Sequence, residues 1–356
     1  MRILLANPRG FCAGVQMAID VVDQAIDLYP NEAVFVYHQI VHNSHVVSRF
    51  ERRGVVFVES LADVPRGSIV VFSAHGVSPA LRREAAERGL RVIDATCPLV
   101  TKVHSEAIRY ARQGYEILLI GHAEHQEVIG TRGEAPDSIR VIEDVHDAAS
   151  VGVTDPDNLV YLTQTTLSTD DASAIIDVLR GRFPNIKSPP GEDICYATTN
   201  RQHAVRSLAR ECDLVIVIGS SNSSNSVRLT EISRNAGTEA FRIEDAGELR
   251  SEWFPSGNET VLVTAGASAP EDLVAELCRT LIGRYGGTIE ARDVFVEEVE
   301  FALPAALRRE LGARGIDGDS RRIRVSPPTL TADVYGTVPL TVSARTGDAN
   351  PGEREA

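Results

Sequence analysis

At residues 92–102 the sequence reads VIDATCPLVTK, which places Cys97 between a strand-like run and a helix-like run. Two other stretches share this design: Cys12 follows the strand-like residues 3–8, and Cys195 precedes the helix-like residues 201–210. The unpaired N–H groups and the positive dipole end of a helix start lower the pKa of a cysteine and favour its thiolate. Three such thiolates directed at one point would hold a metal centre.

Length and composition restrict the class of protein. A chain of 356 residues, 43% hydrophobic and 24% charged, is long enough for two or three domains with their own cores. The net charge of −14 argues against a nucleic-acid partner. Because no run of about 18 apolar residues and no secretory signal is found, we expect a cytoplasmic protein without membrane contact. Five widely separated cysteines then indicate ligands or buried thiols, not disulfides.

The sequence contains an internal repeat that starts from the three cysteines. After each cysteine a strand ends in a polar loop, a second strand ends in another polar loop, and a capped helix follows. The first loops hold His42, His125 and Asn225, which lie 30, 28 and 30 residues after their cysteines, and the second loops hold His75, Thr165 and Ser268. Three copies of one plan are the simplest account of this regularity.

The repeat predicts an α/β fold of three similar units with mainly parallel sheets. The predicted units are residues 1–95, 96–193 and 194–302, followed by a C-terminal extension, residues 303–356. In parallel sheets a ligand lies beyond the carboxyl ends of the strands, so a pseudo-threefold arrangement would direct the loops at one central cavity. The extension is rich in Pro, Gly, Thr and charge. Apart from a short helix near residues 305–314, we expect it to be largely disordered.

The three cysteines suit either zinc or an iron–sulfur cluster, since both bind soft thiolate ligands. The other two, Cys212 and Cys278, lie at a strand start and inside a helix-like run, and we interpret them as structural. No fourth cysteine lies in a comparable loop, which would leave one metal position open to a substrate. A four-iron cluster with one iron not bound by cysteine fits that pattern.

The polar loops offer imidazole, hydroxyl, amide and helix-start N–H donors, which together suit a phosphate or diphosphate. The residues concerned are His42, His75, His125, Ser223, Ser224, Asn225 and Ser268. Glu127 lies in the same loop as His125, and as a proton source beside Thr165 it could protonate a departing hydroxyl. The sequence lacks the G-x-x-x-x-G-K-[ST] loop of nucleotide triphosphatases.

These motifs are those of a known enzyme family. The chain resembles the 4-hydroxy-3-methylbut-2-enyl diphosphate reductases, which catalyse the last step of the methylerythritol phosphate pathway to isoprenoids. The matching stretches are PRGFCAGV, VHN, FSAHGVS, DATCPLVTKVH, GHAEHQEV, TQTTLS, DICYATTNRQ, GSSNSSNS and TAGASAP. They cover residues 1 to about 300, and the extension after Leu303 matches nothing in the family.

The resemblance implies one 4Fe–4S cluster held by Cys12, Cys97 and Cys195. In such enzymes the fourth iron binds the C4 oxygen of the substrate, two electrons pass through the cluster, and the hydroxyl leaves as water. The products are isopentenyl and dimethylallyl diphosphate. By position, Glu127 would deliver the proton and Thr165 would bind substrate and assist the transfer. The histidines, serines and asparagine named above would hold the diphosphate. The partner would be an electron donor such as ferredoxin or flavodoxin with its reductase.

The residues themselves leave two other classes open. A zinc hydrolase of phosphorylated substrates would use the same three thiolates, and colourless, zinc-containing protein prepared without oxygen would favour it. A non-catalytic iron–sulfur sensor is the other alternative. It gives no reason for Glu127 to lie beside His125 in a loop that faces the cavity.

Overall fold

Three parallel sheets carry the body of the protein in the computed structural model, which describes residues 1–326 and 328–343. The elements of residues 1–95 are β1 (Arg2–Asn7), α1 (Ala13–Leu28), β2 (Val34–Tyr37), α2 (Ser44–Glu51), β3 (Val56–Val58), β4 (Ile69–Phe72), α3 (Pro79–Glu87) and β5 (Arg91–Asp94). The first sheet has the order β3-β2-β4-β5, and all of its strands are parallel. Its central strands read VFVY and IVVF, continuous apolar runs typical of a sheet covered on both faces.

The second unit repeats this plan. Its elements are α4 (Pro98–Arg112), β6 (Glu116–Ile120), α5 (Gln126–Glu134), β7 (Ile139–Ile142), α6 (Val145–Ser150), β8 (Leu159–Thr163) and α7 (Thr169–Arg182). The sheet order is β7-β6-β8. An isolated parallel bridge between Val160 and Lys187 occupies the position beyond β8 that β5 occupies in the first sheet.

The third sheet contains a strand from the start of the chain. The elements of this unit are α8 (Tyr196–Ala209), β9 (Leu214–Ile218), α9 (Ser224–Asn235), β10 (Glu239–Ile243), β11 (Thr260–Ala265), α10 (Glu271–Tyr285) and β12 (Thr288–Asp293). The order is β10-β9-β11-β1-β12, and Ile3 of β1 pairs in parallel with Val261 and Ile289. The predicted first unit, residues 1–95, is therefore wrong at its beginning, because both faces of β1 are buried in the cores of the third unit.

The position of β1 follows a rule that all three units share. Each cysteine stands just before the first helix of its unit. The chain segment that leads to the cysteine pairs with the sheet of a different unit. β1 precedes Cys12 and lies in the third sheet, β5 precedes Cys97 and lies in the first, and Lys187 precedes Cys195 and pairs with the second. Each cysteine therefore lies where the chain passes from one sheet to the next helix.

The described residues of the C-terminal extension, 303–326 and 328–343, form further helices and strands, so the prediction of disorder is wrong for them. Its elements are β13 (Glu300–Ala302), α11 (Ala305–Ala313), β14 (Arg322–Arg324), α12 (Ala332–Tyr335) and β15 (Leu340–Ser343). Leu303, Leu307 and Leu311 are buried in the core beside α1, and β15 extends the third sheet by pairing in parallel with β12. A few well-placed apolar side chains thus outweigh a composition that suggests disorder. The helix predicted near 305–314 is confirmed as α11; residues 344–356 lie outside the described residues.

Among the described helices, none has the length and apolar character needed to cross a bilayer.

Candidate functional site

All twelve residues predicted to form the site line one cavity of about 100 Å³. Cys12, Cys97 and Cys195 are the N-cap residues of α1, α4 and α8, as the sequence predicts. They are half-buried, and their side chains enter the cavity from three different helix starts. A Cβ atom added to Gly14 would lie 2.6 Å from Sγ of Cys97 and 3.9 Å from Sγ of Cys12, so these two thiols flank the same glycine.

The thiols are harder to ionise than the sequence predicts. Burial raises the pKa of Cys195 to about 11 and raises the pKa of Cys12 and of Cys97 as well. The negative charge of Cys12 raises the pKa of both other thiols further. The backbone N–H groups of the helix starts lower these pKa values, as the sequence predicts, but desolvation outweighs them. Thiols in this situation ionise when a bound cation compensates their charge.

The donor set fits a metal group that prefers sulfur. Three thiols from separate helices face one cavity. An ionised Cys12 disfavours ionisation of both other thiols, and an ionised Cys195 disfavours that of Cys97, so a cationic group among them would remove that cost. As they stand, no three histidine, cysteine or acidic side chains in the described ranges are placed to hold a single metal ion. Cys212 and Cys278 lie outside the cavity, in the loop before β9 and inside α10.

Three histidine rings pack together at another wall of the cavity: His42 and His75 are stacked, and His125 lies edge-on to both. The ring centroids of His42 and His75 are 4.0 Å apart, and His125 lies 5.3 Å and 5.9 Å from them. Burial lowers the pKa of His42 to about 4 and that of His125 to about 3. The charge of His38 adds to the effect on His42, and the charge of His42 adds to that on His125. The pKa of His75 is also well below the usual value. The three rings are neutral at pH 7, so each can donate one N–H.

The third unit contributes hydroxyl and amide groups. Ser223 is the N-cap of α9, and Ser224 and Asn225 form its first turn. The Ser268 hydroxyl donates to the backbone oxygen of His42 over 2.9 Å, which joins the first and third units at the cavity. Both polar atoms of the buried Asn225 side chain, and both ring nitrogens of His42, lack a hydrogen-bond partner within the described part of the chain. Buried polar atoms of this kind call for a ligand that supplies partners.

Glu127 is buried in the cavity wall in the first turn of α5. Its Oε1 accepts the backbone N–H of Thr165 over 2.6 Å, and its Oε2 accepts the Thr165 hydroxyl over 2.9 Å. Burial raises the pKa of Glu127 to about 7 although both Thr165 hydrogen bonds lower it. A carboxyl group with a pKa near neutrality is half protonated at working pH, the property that general acid catalysis needs.

Sequence reasoning missed two buried arginines that hold the cysteine-bearing segments. Arg201 is fully buried and donates to the backbone oxygen of Gly10 over 2.8 Å and to that of Ala197 over 2.9 Å, while Glu297 balances its charge over 3.0 Å. It therefore connects the loop of Cys12 with the helix that follows Cys195. The other is Arg9, three residues before Cys12. The available signal was an arginine close to Cys12 and another close to Cys195, but an arginine is expected at the surface by default.

Gly14 offers a direct test of the position of Cys97. Alanine is more favourable than glycine in a helix by about 1 kcal/mol, which offsets the cost of moving the Cys97 thiol, so the metal-free Gly14→Ala protein should be about as stable as the parent. The added methyl group would displace Sγ of Cys97, and we expect iron uptake during anaerobic reconstitution with iron and sulfide to fall sharply. The control is Gly283→Ala in α10, where a Cβ meets nothing within 4 Å. Parental iron uptake by Gly14→Ala would contradict a fixed role for Cys97.

Comparison with known proteins adds independent information. The family described as LytB protein matches residues 3–282. A 4-hydroxy-3-methylbut-2-enyl diphosphate reductase of Acidothermus cellulolyticus is 53% identical over 315 residues, which cover 88% of this chain and 92% of that protein. The reductase of the same name from Neisseria meningitidis serogroup C is 52% identical, covering 86% of this chain and 95% of that protein.

Solved structures agree with the sequence relatives. The structure of the E-1-hydroxy-2-methyl-but-2-enyl-4-diphosphate reductase from Plasmodium falciparum has a TM-score of 0.84 and 37% identity, covering 88% of this chain and 99% of that one. A structure of (E)-4-hydroxy-3-methyl-but-2-enyl diphosphate reductase, the terminal enzyme of the non-mevalonate pathway, has a TM-score of 0.57 and 31% identity, covering 80% and 99%. With a match that runs from residue 3 to residue 282 and relatives aligned over most of their length, this chain belongs to the LytB protein family.

Proposed function

We propose that this protein catalyses the reductive dehydroxylation of (E)-4-hydroxy-3-methylbut-2-enyl diphosphate, the last step of the methylerythritol phosphate pathway. Two electrons and two protons convert the substrate into isopentenyl or dimethylallyl diphosphate and water. The observation that carries the proposal is the convergence of three thiols, three histidines and the Glu127–Thr165 pair on one cavity. Family membership and the names of the relatives support the same reaction.

Cys12, Cys97 and Cys195 would hold a 4Fe–4S cluster. When bound, the cluster supplies the two electrons and one iron that no cysteine ligates. The protein contributes three helix starts, which set the positions of the thiols, and a largely buried surrounding. The buried guanidinium of Arg201 also favours the ionised form of Cys12, since its charge lowers the pKa of that thiol.

The polar wall of the cavity would bind the diphosphate. Its donors are His42, His75, His125, Ser223, Ser224, Asn225 and Ser268. The protein carries a net charge of −14, so attraction of an anion must come from local groups. Neutral imidazoles, hydroxyls and the first turn of α9 provide N–H and O–H donors, and the dipole of this helix places its positive end at the cavity. The unpartnered atoms of His42 and Asn225 would gain acceptors from the phosphate oxygens.

Glu127 would protonate the leaving hydroxyl, and Thr165 would stabilise the carboxylate that remains. The pKa of about 7 keeps the proton available at neutral pH. Once the proton has left, the N–H and hydroxyl of Thr165 donate to the two carboxylate oxygens over 2.6 Å and 2.9 Å. Hydrogen bonds to an ionised acceptor are about twice as strong as neutral ones, so Thr165 makes proton release easier.

The same proposal includes the wider setting of the reaction. The shared strand orders of the three sheets support a pseudo-threefold arrangement of the units around the cavity. The electrons would come from a small carrier such as ferredoxin or flavodoxin with its reductase. Five free cysteines are typical of a reducing compartment, which supports a cytoplasmic location.

An anaerobic turnover assay tests the function. The protein, reconstituted with iron and sulfide and supplied with reduced flavodoxin, should consume the hydroxylated diphosphate and form both isoprenoid diphosphates. Zinc-reconstituted protein serves as the control and should form neither. Release of phosphate by colourless, zinc-containing protein would identify a hydrolase instead. Binding of the diphosphate by iron-loaded protein without any product would indicate a sensor.

A further inference from the structure

An ion pair between a buried arginine and a partly exposed glutamate connects the Cys12 loop to the loop of Ser268. The Arg9 side chain has no exposed surface, and it donates to Oε1 of Glu271 through Nε over 3.1 Å and through Nη2 over 2.7 Å. Glu271 is the first residue of α10, directly after the loop that carries Ser268. The pair therefore joins a segment that would bind the cluster to a segment that would bind the diphosphate.

Backbone hydrogen bonds link the same two loops. The N–H of Gly10 donates to the oxygen of Ala265 over 3.1 Å, and the N–H of Cys12 donates to that of Ala267 over 3.3 Å. Gly10 has a positive φ of 63°, which marks a sharp turn in the Cys12 loop. The side chain of Arg9 thus reinforces a connection on which the direction of Cys12 depends.

Tyr335 completes the surroundings of Arg9 from the C-terminal extension. It is fully buried in α12, which packs against α10. Nη2 of Arg9 donates to the Tyr335 hydroxyl over 3.0 Å, and that hydroxyl in turn donates to Oε1 of Glu271. Together with the oxygens of Ala6 and Asn7, these acceptors satisfy all five N–H groups of the guanidinium.

We propose that Tyr335 is a positioning residue that holds Cys12 in the cavity by fixing the Arg9–Glu271 pair. The inference rests on the proposed function, because it takes Cys12 to be a cluster ligand. The family match covers residues 3–282, and Tyr335 lies beyond them. This contact therefore connects the site to a part of the chain outside the matched region. Without the hydroxyl, a buried guanidinium N–H loses its acceptor, and the two loops separate more readily.

The test compares Tyr335→Phe with Tyr285→Phe. Tyr285 borders the same apolar cluster, and its hydroxyl makes no hydrogen bond among the described residues, so it is a matched control. Each protein is reconstituted anaerobically, and loss of iron to a strong Fe(II) chelator is followed by cluster absorbance well below Tm. We expect Tyr335→Phe to lose iron about tenfold faster than the parent, as fits one lost hydrogen bond to a charged group, and Tyr285→Phe to match the parent.

A double variant shows whether Tyr335 acts through the ion pair. In the Glu271→Gln background, adding Tyr335→Phe should change iron loss little, because the pair it fixes is already broken.

Full additivity would overturn the inference, and so would a parental rate in Tyr335→Phe or a lower Tm without faster iron loss. A parent protein that takes up no iron would contradict the proposed function and this inference with it. If the parent protein is active and Tyr335→Phe loses iron at the parental rate, only this inference is contradicted.

Discussion

Replacing Glu127 with glutamine should lower kcat by about 10²–10⁴-fold, the usual contribution of a positioned general acid. Glutamine keeps the shape of the side chain and can accept from Thr165, but it has no proton to release at neutral pH. Iron content and affinity for the diphosphate should stay near those of the parent, because neither depends on the carboxyl proton. The measurements are steady-state turnover under anaerobic conditions, iron analysis, and binding of the isopentenyl diphosphate product.

The control for this variant is Glu124→Gln, which replaces an exposed carboxyl group in the loop just before α5. It should turn over at the parental rate. Near-parental turnover of Glu127→Gln would remove Glu127 from the proton role.

The pH dependence gives a second signature of the same residue. With the pKa of Glu127 at about 7, its acid form is lost as the pH rises through 7, so parental turnover should fall above that pH. The residual rate of Glu127→Gln should lack this descending limb. Stability also falls as the pH rises, but over a lower range: between pH 4.5 and 7 the folded protein keeps a proton that the unfolded chain releases, and by pH 8 this costs about 3 kcal/mol of folding free energy. Metal-free Glu127→Gln should therefore be at least as stable as the parent at pH 8, and a lower Tm there would contradict this account.

Replacing Cys97 with serine should abolish cluster binding. A serine hydroxyl is a hard, weakly acidic donor, and the remaining two thiols leave two irons of the cluster without a protein ligand. We expect iron and sulfide after reconstitution to fall to background, the brown colour to be absent, and turnover to be lost with them. The far-ultraviolet circular dichroism should match that of the metal-free parent.

Cys212→Ser is the matched control for this variant. Cys212 is half-buried but lies outside the cavity, and its thiol donates to the backbone oxygen of Leu208, a contact that serine can make as well. It should bind iron and sulfide like the parent. If Cys97→Ser bound as much iron and sulfide as Cys212→Ser, the three-thiolate site would be wrong.

The residues that gather in the cavity could be predicted because their positions follow from local patterns. An apolar run that ends in a polar loop is visible within about ten residues, and parallel strands bring such loops to one edge of a sheet. That pattern predicts His125, Glu127 and Thr165 at one site, and all three line the same cavity. Their chemical roles remain predictions.

Other features depend on contacts that no local pattern contains. The buried Arg9 and Arg201 carry a charge that normally marks the surface, and only their acceptors from distant segments make their burial tolerable. The folding of the extension depends on contacts of a few side chains such as Leu307 and Tyr335 with the cores of other units, and its composition does not reveal those contacts. The pKa of the thiols depends on desolvation, which requires knowledge of the whole cavity.

The placement of β1 has a consequence for biosynthesis. This strand leaves the ribosome first, but Ile3 finds its neighbours Val261 and Ile289 only near the far end of the chain. At about 5–20 residues per second, the first strand waits roughly 15 to 60 seconds for its partners. The loop after it, with Cys12, cannot settle earlier, so the proposed cluster would be assembled only on a nearly finished polypeptide.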